Sequence, residues 1–426
     1  MRKLRKTRFL IALLAAICIL SAVSTPLTAE AKTTRGIWIS CFDYANAGLK
    51  DKSEAEFRNN VKNMFAKVKS EGFNTVYFHV RAFDDAIWPS TNFTLSKYIS
   101  SSGSLPYDAM SIIVSEAHKK GLKIHAWLNP YRVTYEKILD PAKQASIDRI
   151  LLAVREILSK YPVDGIHFDD YFYPSGSNKQ YKQFKSVSQS VKKANVNQMV
   201  RRVYQTVKSY KKSLKFGISP AGELSYSRSL GADVDTWLSV NGYVDYVVPQ
   251  IYWTNTYIQG GRTVPFFSNQ LAAWKSINKL NKPIYWGLAL YRAGMSSSTD
   301  KGWKARNNNI AKQVKEIAAG KGKGYVLFSY SNLLKSSAKK ELSNYRKQIS
   351  SIKISLGKKS IKRKKTKKLK VKIYPASVTK KPAFKSSNKK IATVSKKGVI
   401  KGKKKGTVTI SATLYGKTSR IKIKVK

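Results

Sequence analysis

The sequence predicts an α/β fold, a (β/α)8 TIM-type barrel, followed by a small all-β sandwich. Three observations carry that expectation. Strand-like and helix-like segments alternate from residue 35 to about 348, the span is long enough for eight βα units, and charge and periodicity change abruptly after it. The strand candidates, in order, are Arg35–Ser40, Thr75–Val80, Lys123–Leu128, Gly165–Asp169, Lys215–Ser219, Val244–Ile251, Ile284–Leu290 and Gly324–Tyr330. Each is a short apolar run rich in β-branched or aromatic residues. Between them lie amphipathic stretches, Glu54–Ser70, Asp108–Lys120, Lys143–Lys160, Val196–Tyr210, Phe266–Lys279 and Asn307–Ala319. A doubly wound sheet is the competing arrangement, but no GxGxxG and no P-loop follows any strand.

The tail is different in kind. Residues 351–426 hold 27 of the 80 Lys and Arg residues and none of the 24 Asp and Glu. Segments such as Lys370–Ile373, Ile391–Val394, Thr407–Ile410 and Ile421–Val425 alternate with period two, Lys or Thr on one face and Val or Ile on the other. At the other end, Arg2, Lys3, Arg5, Lys6 and Arg8 precede an apolar run from Phe9 to Val23, and Ala29-Glu30-Ala31 has the small-x-small form of a cleavage site. That is the pattern of a secretory signal peptide. The expected organisation is therefore a signal peptide over 1–31, a barrel over 32–348 and a basic β domain over 349–426.

Composition narrows the function. The 426 residues are 42% hydrophobic and 11% aromatic, enough to bury a core, so the chain is not a disordered one. Two cysteines exclude a disulfide scaffold, a CxxC zinc module and an iron–sulfur protein. The net charge of +56 calls for an anionic neighbour. Nucleic acid, anionic lipid and an anionic wall polymer all qualify; export argues against nucleic acid, no later segment is apolar enough to span a membrane, and the expected partner is an anionic wall polymer met through the basic tail. The expected localisation is secreted and cell-wall associated.

Side chains alternate along a strand, so parity separates the barrel interior from the helix-facing side. Tyr77 and His79 lead to Arg81; His125 and Trp127 lead to Asn129; His167 leads to Asp169. The upper members fall at the C-terminal strand ends, where barrel active sites are built. Gln250, Tyr252 and Trp253 follow the sixth strand, Tyr291 the seventh and Tyr330 the eighth, while Asp84, Asp85, Trp88, Tyr131, Arg132 and Glu223 lie on loops that can reach the same mouth. Carboxyls, amides and aromatic rings around one cavity suit a sugar. The three histidines are either core residues bonded in a polar layer or zinc ligands, although the sequence has no HxH or HExxH. Trp274 and Trp286 read as core, Trp127 and Trp253 as stacking surfaces.

Asp169-Asp170 is the strongest chemical signal. Adjacent carboxyls at a strand end raise the pKa of at least one, which suits a general acid. In a regular strand they point oppositely, so Asp170 joins Asp169 only if the strand has ended. Glu223, Asp84 and Asp85 are candidates for a further carboxyl.

Assembled in order, Arg35-Gly36-Ile37-Trp38, the Gly72–Arg81 segment, the His125–Arg132 segment, the Asp164–Tyr171 segment, Ile218-Ser219-Pro220, the Pro249–Trp253 segment and Phe328-Ser329 resemble the glycosyl hydrolase-like 10 family of secreted bacterial barrels. The tail, through Ser386–Ser395, Gly398–Gly402 and Gly406–Ile410, resembles the bacterial Ig-like (group 2) domain. The first resemblance implies hydrolysis of glycan chains, with peptide-stripped peptidoglycan the best-attested substrate, and points to Asp169 and Asp170 as catalytic. Relatives often carry Phe-Gly after Ile-Ser-Pro, whereas this chain has Ala221-Gly222-Glu223, which makes Glu223 a special case. The expected site is thus Asp169, Asp170 and Glu223 for chemistry, with Arg81, Trp127, Asn129, Tyr131, Arg132, Gln250, Tyr252, Trp253 and Tyr291 holding the sugar, and no cofactor or metal. Two rival readings remain at this stage, a noncatalytic wall polysaccharide-binding protein and a metal-dependent deacetylase or amidase using His79, His125 and His167.

Overall fold

A computed structural model describes residues 33–175 and 179–426; the signal-peptide expectation lies outside them. Eight parallel strands form the barrel: β1 (Thr34–Ile39), β2 (Thr75–Arg81), β3 (Lys123–Leu128), β4 (Gly165–Phe168), β5 (Lys215–Ile218), β6 (Tyr246–Val247), β7 (Tyr285–Leu288) and β8 (Gly324–Phe328). They neighbour one another in the order β7-β8-β1-β2-β3-β4-β5-β6. The remaining seam, β6 to β7, is carried by single bridges, Val247 with Ile284 and Gln250 with Gly287. Strand β6 is much shorter than the eight residues expected from the sequence, because Pro249 has no N–H to extend the ladder.

The principal helices are α1 (Glu54–Ser70), α2 (Ala109–Lys119), α3 (Gln144–Lys160), α4 (Gln189–Tyr210), α5 (Leu224–Ser229), α6 (Val234–Ser239), α7 (Phe266–Ser276), α8 (Asn309–Ala319) and α9 (Lys339–Ile349). Helix α1 starts at a capping box in which Ser53 and Glu56 satisfy each other's backbone N–H groups. Helix α4 begins at Gln189, seven residues before the apolar periodicity does, and is capped by Ser188, whose hydroxyl accepts from Val191 N–H. Trp274 and Trp286 are core, 0% and 1% exposed.

Inside the barrel, parity holds through the middle of the strands. Trp38, Tyr77, Trp127, Tyr246, Val248 and Val326 form one interior cluster, separate from the larger core between strands and helices. A polar layer runs through it. Trp38 Nε1 donates to His167 Nε2 at 3.3 Å, so that ring's proton is on Nδ1, facing the Tyr246 hydroxyl at 3.1 Å. The hydroxyl in turn donates to His125 Nδ1 at 2.8 Å. Burial keeps both imidazoles neutral, lowering His125 to about 4 and His167 further. Gly217 makes room for this layer, since a Cβ there would sit 2.2 Å from the Tyr246 ring.

The tail forms β9 (Ser351–Ser355), β10 (Ser360–Ile361), β11 (Thr366–Lys368), β12 (Lys370–Tyr374), β13 (Ala383–Ser386), β14 (Ala392–Val394), β15 (Val399–Gly402), β16 (Gly406–Leu414) and β17 (Lys417–Val425). They pair as a four-stranded sheet β10-β17-β16-β13, a three-stranded sheet β11-β15-β14 and the pair β9-β12 around their own small core of Ile, Leu, Val and Ala. One residue, Ser350, separates α9 from β9. The sandwich meets the barrel at the N-terminal ends of the strands, opposite the mouth. There Glu71, 0% exposed, accepts from Arg346 through both oxygens at 2.7 Å, from Lys67 at 2.8 Å and from Ser377 at 3.1 Å. Burial opposes its charge, but these donors outweigh that effect and hold its carboxyl below the usual range. Tyr374 donates to Gly72 O beside them, and the Arg35 guanidinium lies 5.1 Å from the Tyr374 ring centroid.

Candidate active site

The barrel mouth holds a cavity of about 250 Å³ and an adjoining one of about 670 Å³. Asp170, Gln250 and Tyr252 line both, so they sit where the two join into one cleft. Asp169, Trp127, Asn129, Arg132 and Tyr291 line the smaller cavity; Trp253 and Glu223 line the larger.

The carboxyl pair follows from where β4 stops. The strand ends at Phe168, so alternation is released one residue before the expected end and both Asp169 and Asp170 face the cavity. Asp169 is 7% exposed, and its Oδ1 accepts from Asp170 N–H at 2.9 Å and Gln250 Nε2 at 2.8 Å. The two side chains are hydrogen-bonded to each other, which takes one shared proton. Burial pushes both carboxyls up. At Asp169 the donors from Asp170 and Gln250 oppose that rise, whereas at Asp170 the neighbouring Asp169 charge adds to it. The upward push is therefore the stronger at Asp170.

The aromatic walls are built from several strand ends. Trp127 stacks on His79, ring centroids 3.8 Å apart and planes within 5°. Tyr252 meets Tyr291 edge-on at 5.6 Å, and both pack against Phe328. Across the join, Trp253, Tyr257 and Phe266 form a second aromatic group in which the ring of Phe266 lies 5.0 Å from Trp253 and 4.8 Å from Tyr257. Tyr257 comes from a hairpin (Tyr257–Gln259 with Arg262–Val264) that follows β6 and walls the larger cavity.

Three of the expected site residues take other places. Arg81 is fully buried and lines neither cavity; its guanidinium donates to Asn129 O at 2.8 Å and Pro130 O at 3.2 Å and pairs with Asp84. The cause is a bulge between His79 and Arg81, which shifts the β2–β3 register and cancels the parity on which the expectation rested. Tyr131, 0% exposed, is part of the main core. Glu223 does not join the aspartate pair: its Oε1 accepts from Ser225 N–H at 3.0 Å and its Oε2 from Tyr226 N–H at 2.7 Å, capping α5. Asp84 is held by Arg81 and Arg149, and Trp88 donates to Glu156 from the core.

Ser40, Cys41 and Phe42 after β1, with Phe83, Tyr135 and Tyr171, also line the smaller cavity. Position just past the C-terminal end of β1 was the available sign for the first three. His79 lines the cavity but is lowered to about 3 by burial, so it is neutral there. Among the described residues, no three His, Cys, Asp or Glu side chains converge as a metal site.

A parallel (β/α)8 barrel with carboxyls between aromatic walls at its mouth is an architecture that glycoside hydrolases use. The chain belongs to the glycosyl hydrolase-like 10 family, whose model matches residues 33–146 and 135–305. A bacterial Ig-like domain (group 2) model matches residues 348–424. Among named relatives, the glycosyl hydrolase DigH of Escherichia coli (strain K12) is 28% identical over 353 residues, covering 66% of this chain and 79% of that protein. The glycosyl hydrolase YngK of Bacillus subtilis (strain 168) is 28% identical over 358 residues, 70% and 68% of the two chains. The glycoside hydrolase domain of PgaB (BpsB) from Bordetella bronchiseptica shares the fold, with a TM-score of 0.53 at 11% identity over 73% of this chain and 98% of that one.

Proposed function

We propose that the protein is a secreted glycoside hydrolase that cuts within cell-wall glycan, on strands from which the peptides have been removed. The observation that carries this reading is the Asp169–Asp170 pair, sited where two cavities join rather than at the end of one. A chain can run past the pair on both sides, with sugar faces on Trp127 and the Tyr252–Tyr291 wall in one direction and on Trp253 and Tyr257 in the other.

The pair's spacing favours one mechanism. Two carboxyls in hydrogen-bond contact are closer than the ~5–5.5 Å of a nucleophile–acid pair and far closer than the ~6.5–9.5 Å that admits a water. Wall amino sugars carry an N-acetyl group, and its carbonyl oxygen serves as the nucleophile. Asp169, ionised, accepts the acetamido N–H and holds that oxygen under C1. Asp170 gives its proton to the leaving glycosidic oxygen as the C1–O bond breaks and the acetamido O–C1 bond forms. Water then attacks C1, Asp170 takes its proton, and the acetamido group is released. Gln250 fixes Asp169 through the bond to its Oδ1.

Incubation with peptide-free peptidoglycan strands tests the reading. New reducing ends and a ladder of internal fragments by mass spectrometry are the expected result, and intact strands overturn it.

The Ig-like domain is the wall-binding part in this proposal. On β17, Arg420, Lys422 and Lys424 are exposed between buried Ile421, Ile423 and Val425. Their β16 partners in register are Ser411, Thr409 and Thr407. The result is a row of cations about 6.8 Å apart beside a row of hydroxyls, with Lys385 of β13 opposite Ser411. Such a row suits a flexible polyanion of the wall. Retention of the full chain on an immobilised phosphodiester polymer is expected to fall steeply with salt, and an Arg420→Gln/Lys422→Gln/Lys424→Gln variant is expected to elute at lower salt. Coincident elution of the two sinks this assignment.

A further inference from the structure

The cleft is poor in the charge that dominates the rest of the molecule. The chain has 80 Lys and Arg residues against 24 Asp and Glu, yet among the described residues those lining the two cavities include three carboxyls, Asp169, Asp170 and Glu223, and one cation, Arg132. That arginine is held in place. Its guanidinium carbon lies 3.8 Å from the centroid of the Tyr171 ring, and the ring orders it while leaving its N–H edge open. Among the described residues no carboxylate lies within 4.0 Å of it as an ion pair. Its positive charge is nonetheless close enough to favour the ionised forms of Asp169 and Asp170.

We propose that Arg132 is a specificity residue that binds the carboxylate of an acid-bearing sugar next to the scissile bond. The inference rests on the wall-glycan reading above and sharpens it. In peptidoglycan, alternate amino sugars carry a lactyl ether whose carboxyl is bound in an amide to the stem peptide. Once that amide is cut, the sugar presents a free carboxylate, planar and anionic, the shape a guanidinium matches with two parallel hydrogen bonds. An intact stem offers a neutral amide carbonyl and a bulky chain instead. Arg132 thereby distinguishes stripped strands from cross-linkable ones by charge, at the same cavity where the aspartates act. A neutral glycan offers this arginine hydroxyl and amide oxygens but no charge to pair with, and the other cavity, which among the described residues contains Glu223 but no cation, takes the sugar without the acid.

The test compares two peptide-free strand preparations, one with its lactyl carboxylates intact and one in which they have been reduced to alcohols, leaving the acetamido groups untouched. The parent enzyme is expected to show a kcat/KM about 10- to 100-fold higher on the carboxylate form. Arg132→Gln is expected to lose most of that preference, its rate on the carboxylate form falling to near its rate on the reduced form, while Arg132→Lys keeps part of it. Equal rates of the parent on both preparations overturn the proposal and leave the function standing. A Gln variant slowed equally on both preparations, its preference intact, also overturns it, because the arginine then acts on the aspartates alone. No cleavage of either preparation by the parent overturns the function itself and the inference with it.

Discussion

Asp170→Asn is expected to lower kcat on peptide-free strands by about 10²- to 10⁴-fold, the range for loss of a general acid. The pH dependence identifies the role more sharply than the rate does. In the parent, activity is expected to fall on the alkaline side as Asp170 gives up its proton. Burial and the Asp169 charge raise that pKa, so the alkaline limb lies above the ordinary carboxylate range. On the acid side activity is expected to fall as Asp169 takes up a proton and can no longer accept the acetamido N–H. The asparagine variant keeps the acid limb and loses the alkaline one. Profiles of kcat/KM against pH for parent and variant decide the matter. A variant that retains both limbs would place the proton donor elsewhere in the cleft.

Strands whose amino sugars have been de-N-acetylated are expected to be cut about 10³-fold more slowly, because an internal nucleophile held under C1 has a large effective concentration that solvent water does not replace. The carboxyls themselves force this expectation. Asp169 and Asp170 are bonded to each other, and Glu223 has both oxygens engaged at the start of α5. No second carboxylate of the cleft is therefore free to stand across the sugar ring. Initial rates on matched acetylated and de-acetylated strands measure the effect. Equal rates would require a nucleophile or base from the protein and would remove the substrate's amide from the mechanism.

The barrel was legible because strand and helix periods alternate strongly and because each strand's apolar run is bounded by turn residues. The sandwich was legible because β17 alternates Ile and Val with Lys over its second half. At the mouth, parity carried the reading as far as the ladder stayed regular. Trp127 and His167 face inward, but a single bulge after His79 turns Arg81 away, and nothing in Val80-Arg81-Ala82 announces it. Glu223 looked like a spare carboxyl because its capping role depends on α5, six residues of weak periodicity. Tyr257 and Phe266 were invisible as cleft residues since they arrive there only through the way the hairpin after β6 folds over the barrel end.

The junction around Glu71 has a mechanical meaning. With one residue between α9 and β9, and Arg346, Ser377 and Tyr374 fastening the sandwich under the strand N-termini, the two domains have no slack between them. An enzyme on a flexible leash sweeps a volume and cuts wherever it drifts. This barrel stands on its sandwich like a lathe tool in its post, with the mouth one barrel height from the foot. Under the proposed wall-binding role of the sandwich, this geometry sets the cleft at a fixed standoff from the layer that is gripped, and cutting is expected only in glycan that passes at that height.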